Sequence, residues 1–517
     1  MKPVLLIVID ALASRVIRPA MEQGKLPNLQ ALADAGQVDW NSTAIFPSIT
    51  PAATAALVTG GYPCETGIAG AYYYDQDNDH VHYYADDLGA IMRKGFSDFV
   101  EDFMIRLNRD HLRANTALRE VEKAGYRAAC LNYLWFLGDV SHTIDVPWLL
   151  KLWPTVPWSH EIQGPSTLSL GDFVSDLPTL ANRRKKGAGG IFNRFGFNDE
   201  STAADLLYLA EAQALPDFTI AYFPDNDFNS HSDGPAETLP TVEKVDQVLG
   251  KVAQAYGGME ALLHSMAVVV TGDHSQSDLP MHNSETGINV DTLLKDYSVV
   301  PAGQDWENGE QLMICPNMRA AQIYLRPRYW DLRKEIIERL LADPRIDQVM
   351  WREKPTETVR RYSIQTQRHG LLAFHATLDG QGQAKDEYGM SWTWEGNLAT
   401  IDTEVGPDGV LVYGDYPNAL ERITTAFDDE VTGDLWGTCH LDYEFRLEST
   451  GVHRRGSHGS LHAEDSLSPL ILAGVPEELY PTKTPRSVDV APLCLAILGI
   501  KSRQRVGSSH VRGPGSG

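Results

Sequence analysis

Short apolar runs, separated by longer stretches with helical spacing, dominate the hydrophobic pattern of the chain. Five runs rich in Val, Ile and Leu are typical of strands buried on both faces of a parallel sheet, and they cover residues 3–9, 127–133, 217–223, 266–271 and 469–474. Amphipathic stretches predict helices over residues 26–35, 52–59, 115–124 and 239–256. This alternation predicts an α/β fold in which helices flank a mostly parallel central sheet.

Two regions break the alternation. Residues 138–202 are rich in Trp, Pro and Gly, and residues 282–456 contain strand-like pieces at 321–325, 370–375 and 409–412. Because core-like elements resume after each region, we expect both to be insertions that cap the core. The predicted organisation is a catalytic core in three parts (1–137, 203–281, 457–505), two cap insertions (138–202, 282–456) and a flexible tail (506–517).

Composition and charge exclude several classes of protein. With 517 residues and 43% hydrophobic content, the chain can bury a large core. A net charge of -25 repels phosphate backbones, so a protein that coats nucleic acid is not expected. The first apolar run stops at Asp10, and no other stretch approaches the length of a membrane span, so the sequence predicts no transmembrane segment.

The cysteines indicate the compartment. Their number is odd and none has CxxC spacing, which favours buried free thiols over a disulfide framework or a thiolate zinc cluster. The five are Cys64, Cys130, Cys315, Cys439 and Cys494. Free thiols persist in a reducing compartment, so we expect a cytoplasmic protein.

Acidic residues and histidines follow several of the predicted strands. Asp10 ends the first strand, Asp227 and His231 follow the third in a polar loop, and Asp273 and His274 follow the fourth. The carboxyl ends of parallel strands meet at one edge of a sheet, where ligands bind. Carboxylates and imidazoles are the ligands of dinuclear zinc sites that keep positions open for substrate. With His458, further along the chain, these residues predict a two-metal hydrolase site.

Thr50 is the candidate nucleophile. Pro51 at a first helical position, followed by an Ala-rich apolar stretch, predicts that Thr50 is the N-cap of a helix. Its hydroxyl would then lie at the positive end of the helix dipole, which favours an alkoxide and a bound phosphate oxygen. A threonine before a helix is usually only a cap, so this prediction depends on the other site residues in the same chain.

The order of these segments resembles the alkaline phosphatase superfamily, specifically its type I phosphodiesterase and nucleotide pyrophosphatase branch, which includes phosphonoacetate hydrolase. The motifs that carry the resemblance, in chain order, are the apolar run before Asp10, Phe46-Pro-Ser-Ile-Thr50, Leu57-Val-Thr-Gly60, Asp227 to His231, Thr271-Gly-Asp273-His274, His458-Gly-Ser460, Asp465 and Asp489-Val-Ala-Pro492. The formylglycine signature of sulfatases, Cys-x-Pro-x-Arg, is absent.

The resemblance implies the division of the metal ligands. One ion would be held by Asp227, His231 and His458, and the second by Asp10, Thr50, Asp273 and His274. In that family both ions are usually zinc, with manganese as the alternative here. The threonine forms a covalent phospho-enzyme, which water then hydrolyses.

One position departs from the family pattern. Where many family members carry an asparagine that binds a phosphoryl oxygen, this chain has Ala71, so another donor is needed; the candidates are Tyr72, Tyr73, Asn229 and Arg455. The loss also leaves open the choice among monoester, diester and phosphonate. Aromatic and aliphatic residues in and just before the first insertion could line a pocket for an apolar leaving group or simply pack the insertion, and they include Trp135, Phe136, Trp148, Trp153 and Trp158.

The leading hypothesis is a zinc-dependent phosphoric ester hydrolase, most plainly a phosphodiesterase or nucleotide pyrophosphatase, acting on a small-molecule ester through Thr50. A phosphonate hydrolase or phosphomonoesterase on the same site is the first alternative. An inactive, metal-stabilised binding protein is the second, from another class. The sequence does not fix the natural substrate or the oligomeric state.

Overall fold

The computed structural model describes residues 2–76, 78–84, 102–145, 159–185, 187–280, 286–307, 309–354, 359–377 and 380–501. The predicted tail, 506–517, and the tryptophans Trp148, Trp153 and Trp158 lie outside these residues. Among the described residues, no helix combines the length and apolar character needed to cross a membrane.

Strands outnumber helices. The strands are β1 (Val4–Ile9), β2 (Gly36–Thr43), β3 (Tyr72–Asp75), β4 (His80–Tyr83), β5 (Ala128–Leu131), β6 (Val140–Asp145), β7 (Ser159–Gly164), β8 (Thr167–Leu170), β9 (Val174–Asp176), β10 (Phe218–Phe223), β11 (Ala267–Thr271), β12 (Ser277–Asp278), β13 (Gly287–Asn289), β14 (Leu312–Asn317), β15 (Ala320–Leu325), β16 (Ile346–Arg352), β17 (Tyr362–Thr366), β18 (Gly370–Ala376), β19 (Ala384–Asp386), β20 (Ser391–Gly396), β21 (Thr403–Val405), β22 (Val410–Tyr413), β23 (Leu435–Cys439), β24 (Glu444–Arg446), β25 (Gly456–Ser457) and β26 (Leu467–Ala473).

The α-helices among the described residues are α1 (Ser14–Glu22), α2 (Pro27–Asp34), α3 (Thr50–Thr59), α4 (Pro63–Thr66), α5 (Ala117–Lys123), α6 (Asp199–Glu211), α7 (Asp225–Asp233), α8 (Leu239–Ala255), α9 (Met259–Ser265), α10 (Val290–Leu293), α11 (Arg333–Leu341), α12 (Ala419–Phe427), α13 (Ala463–Ser466) and α14 (Val490–Ile497). A π-helical segment covers Asp102–His111. Short 3-10 segments cover Ile191–Gly196, Pro327–Leu332, Leu398–Ile401, Glu477–Leu479 and Ser487–Asp489.

The central sheet has eight strands in the order β2-β26-β11-β1-β10-β5-β8-β9. The five strands from β11 to β8 are mutually parallel, which confirms the predicted α/β class with a mostly parallel sheet. The prediction that residues 469–474 form a parallel strand is wrong, because β26 runs antiparallel to β11. A run buried on both faces has the same composition in either direction, so its pattern alone does not give the orientation.

Both faces of the sheet are covered. Alternate residues of β1 enter different cores: Val4, Leu6 and Val8 join one cluster with residues of α3 and α14, while the residues between them join a second with residues of α2 and α8. This follows from the two-residue period of a strand. The sheet is therefore clamped between two helical layers, and its loops emerge only at the strand ends.

A second sheet of ten strands lies within residues 312–439, in the order β14-β15-β23-β16-β17-β18-β20-β19-β22-β21. All its pairings are antiparallel except that of β19 with β22. These strands fall within the predicted second insertion, whereas β8 and β9, from the predicted first insertion, extend the central sheet. The proposed domain bounds remain a prediction.

Candidate metal centre

Three neighbouring parallel strands deliver the acidic residues of the site. β1 pairs with β10 on one side and with β11 on the other, so their carboxyl ends lie at one edge. Asp10 follows β1, Asp227 follows β10, and Asp273 follows β11, and the side chains of Asp10 and Asp273 are almost fully buried. The structure thus brings Asp10 together with two carboxylates that lie more than 200 positions further along the sequence.

Asp227 and His231 lie on helix α7, and the prediction that they occupy a loop is wrong. The helix is polar and lacks an apolar stripe, so the hydrophobic pattern gave no helical signal; Asp225 and Asp227 in its first turn complement the helix dipole. Helical spacing places residues four apart on one face, and His231 Nε2 lies 3.2 Å from Asp227 Oδ2.

Thr50 is the first residue of helix α3, and Ile49 is its N-cap, so the predicted cap position is wrong by one residue. Pro51 still starts the helix with fixed φ, and the hydroxyl of Thr50 remains at the positive helix end. The first turn is anchored from below: Trp135 Nε1 donates to the carbonyl oxygen of Pro51 at 3.0 Å and to Thr54 Oγ1 at 2.9 Å. Trp135 therefore packs in the core, bonded to the first turn of α3, and is not among the described residues that line the cavity over Thr50.

Four of the site residues form one group around His274. Its Nε2 lies 3.0 Å from Thr50 Oγ1, 3.5 Å from Asp10 Oδ1 and 3.6 Å from Asp273 Oδ2. Asp10 also accepts a hydrogen bond from the hydroxyl of Tyr222. Oxygen atoms from three side chains therefore lie within 3.6 Å of His274 Nε2.

The second group surrounds Asp227. His231 Nε2 lies 3.2 Å from Asp227 Oδ2, and His458 Nε2 lies 3.6 Å from Asp227 Oδ1. Gln276 Nε2 donates to the same Oδ1 at 2.9 Å. The rings of His274 and His458 stack with centroids 3.9 Å apart, so the two groups are in direct contact.

The three histidines share one orientation. The Nδ1 of His231 faces the carbonyl oxygen of Gly456 at 2.9 Å, that of His458 faces Ser48 at 2.7 Å, and that of His274 faces Ser275 at 2.9 Å. A carbonyl only accepts, so each Nδ1 carries the proton and donates it. Each Nε2 then offers a lone pair to the site. Metal-binding histidines usually have this arrangement, in which the other ring nitrogen donates a hydrogen bond to an oxygen of the protein.

Several ligand atoms are buried without a hydrogen-bond partner among the described residues. They are Asp10 Oδ1, Asp273 Oδ2 and His458 Nε2. Burying a polar atom without a hydrogen bond costs folding free energy, and three such atoms in one site indicate that the site binds a cation. Asp10, Asp273 and His274 form one set of ligand atoms within 4.8 Å of one another, and Asp227, His274 and His458 form another. The donor set fits two divalent ions.

The ionisation of the carboxylates agrees with this fit. Burial, together with the charges of Asp273 and Asp227, holds the pKa of Asp10 well above its usual value, and burial raises the pKa of Asp273 to about 7. Burial alone would also raise the pKa of Asp227, but His231 and His458 bring it far below its ordinary range. When Asp10 and Asp273 are ionised, the protein stabilises their buried negative charges poorly, and a bound cation would offset them.

Replacing Asp273 by asparagine should stabilise the metal-free protein at pH 8. The unfolded chain ionises this group near 3.8, but the folded chain does so near 7. Folding therefore keeps a proton between these values, and the stability due to this group falls as pH rises through that window. We expect a higher Tm than wild type at pH 8 with chelator present, and a smaller rise in Tm when zinc is added.

Thermal unfolding with chelator and with zinc measures both effects. Asp278→Asn is the matched control, because this carboxylate lies on the next strand, β12, and its side chain is 55% exposed. A lower Tm for metal-free Asp273→Asn than for wild type at pH 8, or an undiminished response to zinc, would contradict the assignment of Asp273.

A cavity of about 250 Å³ opens over Thr50, Asp10, Asp227 and His231. None of the predicted oxygen donors, Tyr72, Tyr73, Asn229 and Arg455, lines it, whereas Ala71 does. The hydroxyl of Tyr72 instead accepts a hydrogen bond from the backbone N–H of Gly303, and the side-chain amide of Asn229 donates to Thr241 Oγ1. The rest of the described cavity wall is mainly apolar, and the guanidinium of Arg194 gives it a positive charge. It includes Leu134, Arg194, Phe197, Phe228 and Met318.

Three residues of the site were not predicted from the sequence: Arg194, Tyr222 and Gln276. Arg194 forms an ion pair with Asp225, and its guanidinium carbon lies 4.5 Å from the ring centroid of Phe228. Tyr222 and Gln276 bond to ligand carboxylates. Gln276 could have been suspected from its place three residues after Asp273, but Tyr222 is hidden in an apolar strand and Arg194 gives no local signal.

A known protein family matches this chain in sequence, and a solved structure resembles it in fold. The family described as type I phosphodiesterase / nucleotide pyrophosphatase matches residues 4–460 of the sequence. A search by sequence among curated proteins found no significant match. Among solved structures, human ectonucleotide pyrophosphatase / phosphodiesterase 5 is similar in fold, with a TM-score of 0.56 over 98% of this chain and 97% of that chain, at 13% sequence identity.

Proposed function

Because this chain belongs to the type I phosphodiesterase / nucleotide pyrophosphatase family and is thus a phosphoric ester hydrolase, we propose that it cleaves phosphoric diesters with two zinc ions and Thr50 as nucleophile. The observation that carries the proposal is the set of buried ligand atoms near Thr50 that have no hydrogen-bond partner in the described part of the chain. Their geometry supports one ion at Asp227, His231 and His458 and a second at Asp10, Thr50, Asp273 and His274.

The residues of the chain divide the work as follows. Thr50 Oγ1 gives up its proton and attacks phosphorus, the bond from phosphorus to the leaving oxygen breaks, and the leaving group departs as an alcohol or phenol; Thr50 then carries the remaining phosphate monoester as a phosphodiester. Water attacks the same phosphorus, the bond to Oγ1 breaks, Thr50 regains a proton, and the phosphate monoester is released. Bound zinc would lower the pKa of the attacking hydroxyl and offset charge on the leaving oxygen. Tyr222 orients Asp10, and Gln276 orients Asp227, through their hydrogen bonds.

A substrate panel combined with metal analysis tests this function. Protein loaded with zinc should contain zinc at the catalytic centre and release nitrophenol from a nitrophenyl diester faster than from the monoester. Phosphate release from phosphonates without diester cleavage would replace the diesterase with a phosphonate hydrolase. Stoichiometric zinc with no turnover on any ester or phosphonate would support the inactive binding protein instead.

The apolar wall of the cavity supports an aromatic or otherwise apolar leaving group. Phe228 is 49% exposed, lines the cavity and stacks under Arg194. Replacing Phe228 by alanine should raise KM for a nitrophenyl diester about tenfold, equivalent to ~1.4 kcal/mol, because an aromatic contact and the seat of Arg194 are both lost.

Initial rates over a range of substrate concentrations give this KM. Phe192→Ala is the control, since Phe192 is 97% exposed and does not line the cavity. An unchanged KM for Phe228→Ala, or an equal rise for the control, would remove this wall from substrate binding.

A further inference from the structure

A second cluster of metal-ligating side chains lies outside the catalytic centre. The hairpin of β3 and β4 carries Asp75 and His82, and the π-helical segment brings His111 against them. One ligand atom from each of these three residues lies within 4.8 Å of the others. We propose that Asp75, His82 and His111 bind an additional divalent ion of the zinc class.

The distances fit a shared ion. His82 Nε2 lies 3.7 Å from Asp75 Oδ2, and the centroids of the His82 and His111 rings are 4.2 Å apart. Two imidazoles and one carboxylate are a common zinc ligand set, and they leave a fourth position for water. At 3.7 Å, His82 Nε2 and Asp75 Oδ2 lie further apart than hydrogen-bonded partners, and the 4.8 Å bound on all three ligand atoms lets them share a single ion.

Neighbouring groups orient these ligands. Asn78 donates to Asp75 through its side-chain amide at 2.8 Å and through its backbone N–H at 3.2 Å. The Nδ1 of His82 lies 3.2 Å from the hydroxyl oxygen of Tyr84. The backbone bond fixes Asp75 Oδ1, and the side-chain amide bonds Oδ2, the oxygen that faces His82. Hydrogen bonds that orient a carboxylate and the second nitrogen of a histidine are the usual support around a metal ion.

An ion pair between Asp75 and His82 is the simpler alternative, and it accounts for only two of the three groups. His111 Nε2 is buried and has no hydrogen-bond partner among the described residues. A nitrogen of this ring lies with ligand atoms of Asp75 and His82 inside one 4.8 Å group. An imidazole nitrogen that faces a carboxylate and a second imidazole without a hydrogen-bond partner of its own is well placed to bind a cation.

The position of this ion would connect it to the catalytic cavity. The hairpin follows Ala71 and leads into Tyr84, and both of these residues line the cavity over Thr50. Tyr84 is also the residue whose hydroxyl contacts His82. An ion at Asp75, His82 and His111 would therefore hold one wall of the cavity in place without touching the reacting atoms.

Zinc counting tests the proposal. Purified full-length protein is stripped with chelator, reloaded with zinc and desalted, and its zinc is measured by inductively coupled plasma mass spectrometry. His111→Ala and Asp75→Asn should each hold one equivalent less than wild type. His80→Ala is the control, because His80 lies on the same hairpin but outside the cluster, beside Asp305, and should match wild type.

The difference between wild type and variant does not depend on how many ions the catalytic centre holds, so this test stands apart from the proposed function. Circular dichroism checks that each variant is folded, and the two substitutions at different ligands guard against a folding defect in one. Equal zinc in wild type, His111→Ala and Asp75→Asn would overturn the proposal. Loss of one equivalent in His80→Ala as well would overturn the ligand assignment.

Discussion

Thr50→Ala should lower kcat on a nitrophenyl diester by about 10³-fold or more, equivalent to ~4 kcal/mol of transition-state stabilisation. The variant lacks the oxygen that attacks phosphorus, and no other hydroxyl was assigned to replace it. Asp10, Asp273 and His274 remain, so the zinc content should stay close to that of wild type. This combination of retained metal and lost turnover separates a nucleophile from a residue that only holds the site together.

Thr59→Ala is the matched control for this variant. Thr59 ends the same helix, and its hydroxyl donates to the carbonyl oxygen of Ala55 at 2.7 Å, away from the cavity. It should keep kcat within a few-fold of wild type. Full activity in Thr50→Ala would remove Thr50 from the mechanism, and loss of both zinc ions would make it a structural ligand.

His458→Ala should lose close to one equivalent of zinc and lower kcat/KM by about 10²-fold or more. This loss of kcat/KM is larger than that typical of replacing a residue that only orients a metal ligand. The side chain is fully buried, and its Nδ1 donates to the carbonyl oxygen of Ser48, two residues before Thr50. Its Nε2 faces Asp227 with no other partner among the described residues. The substitution removes a ligand and also the link between the two halves of the site.

Metal analysis and steady-state kinetics on the same preparation measure both losses. His462→Ala serves as the control, because His462 lies in the same loop but caps helix α13, where it accepts from the backbone N–H of Glu464. It should keep the full zinc content. Wild-type zinc and turnover in His458→Ala would exclude this histidine from the metal centre.

The sequence predicted the parts of the fold that depend on local pattern. The runs before Asp10 and before Asp273 became β1 and β11, because strands buried on both faces need continuous apolar residues. The direction predicted for β26 was wrong, and the ten-stranded second sheet was not predicted beyond three strand-like pieces. Both depend on pairing between distant strands, which composition and periodicity do not encode.

For the candidate site, the sequence supplied the ligand residues but not their surroundings. Asp10, Thr50 and His274 were selected from motifs, and the structure places them together. Their hydrogen-bonding neighbours and the cavity wall come from distant segments, so no local motif marks them. Arg194 reaches the cavity only through the fold of the chain around Ile191–Gly196.

Thr50 carries the phosphoryl group between the two steps of the proposed hydrolysis, and trapping that intermediate tests this role most directly. Zinc-loaded protein mixed with bis(4-nitrophenyl) phosphate, quenched in acid within milliseconds and digested, can be examined by peptide mass spectrometry. We expect a nitrophenylphosphoryl group on Thr50 in the wild type, where one nitrophenol has left and the other stays on phosphorus, and no such group in Thr50→Ala. An adduct on another residue, or none during a pre-steady-state burst of nitrophenol, would contradict this role of Thr50.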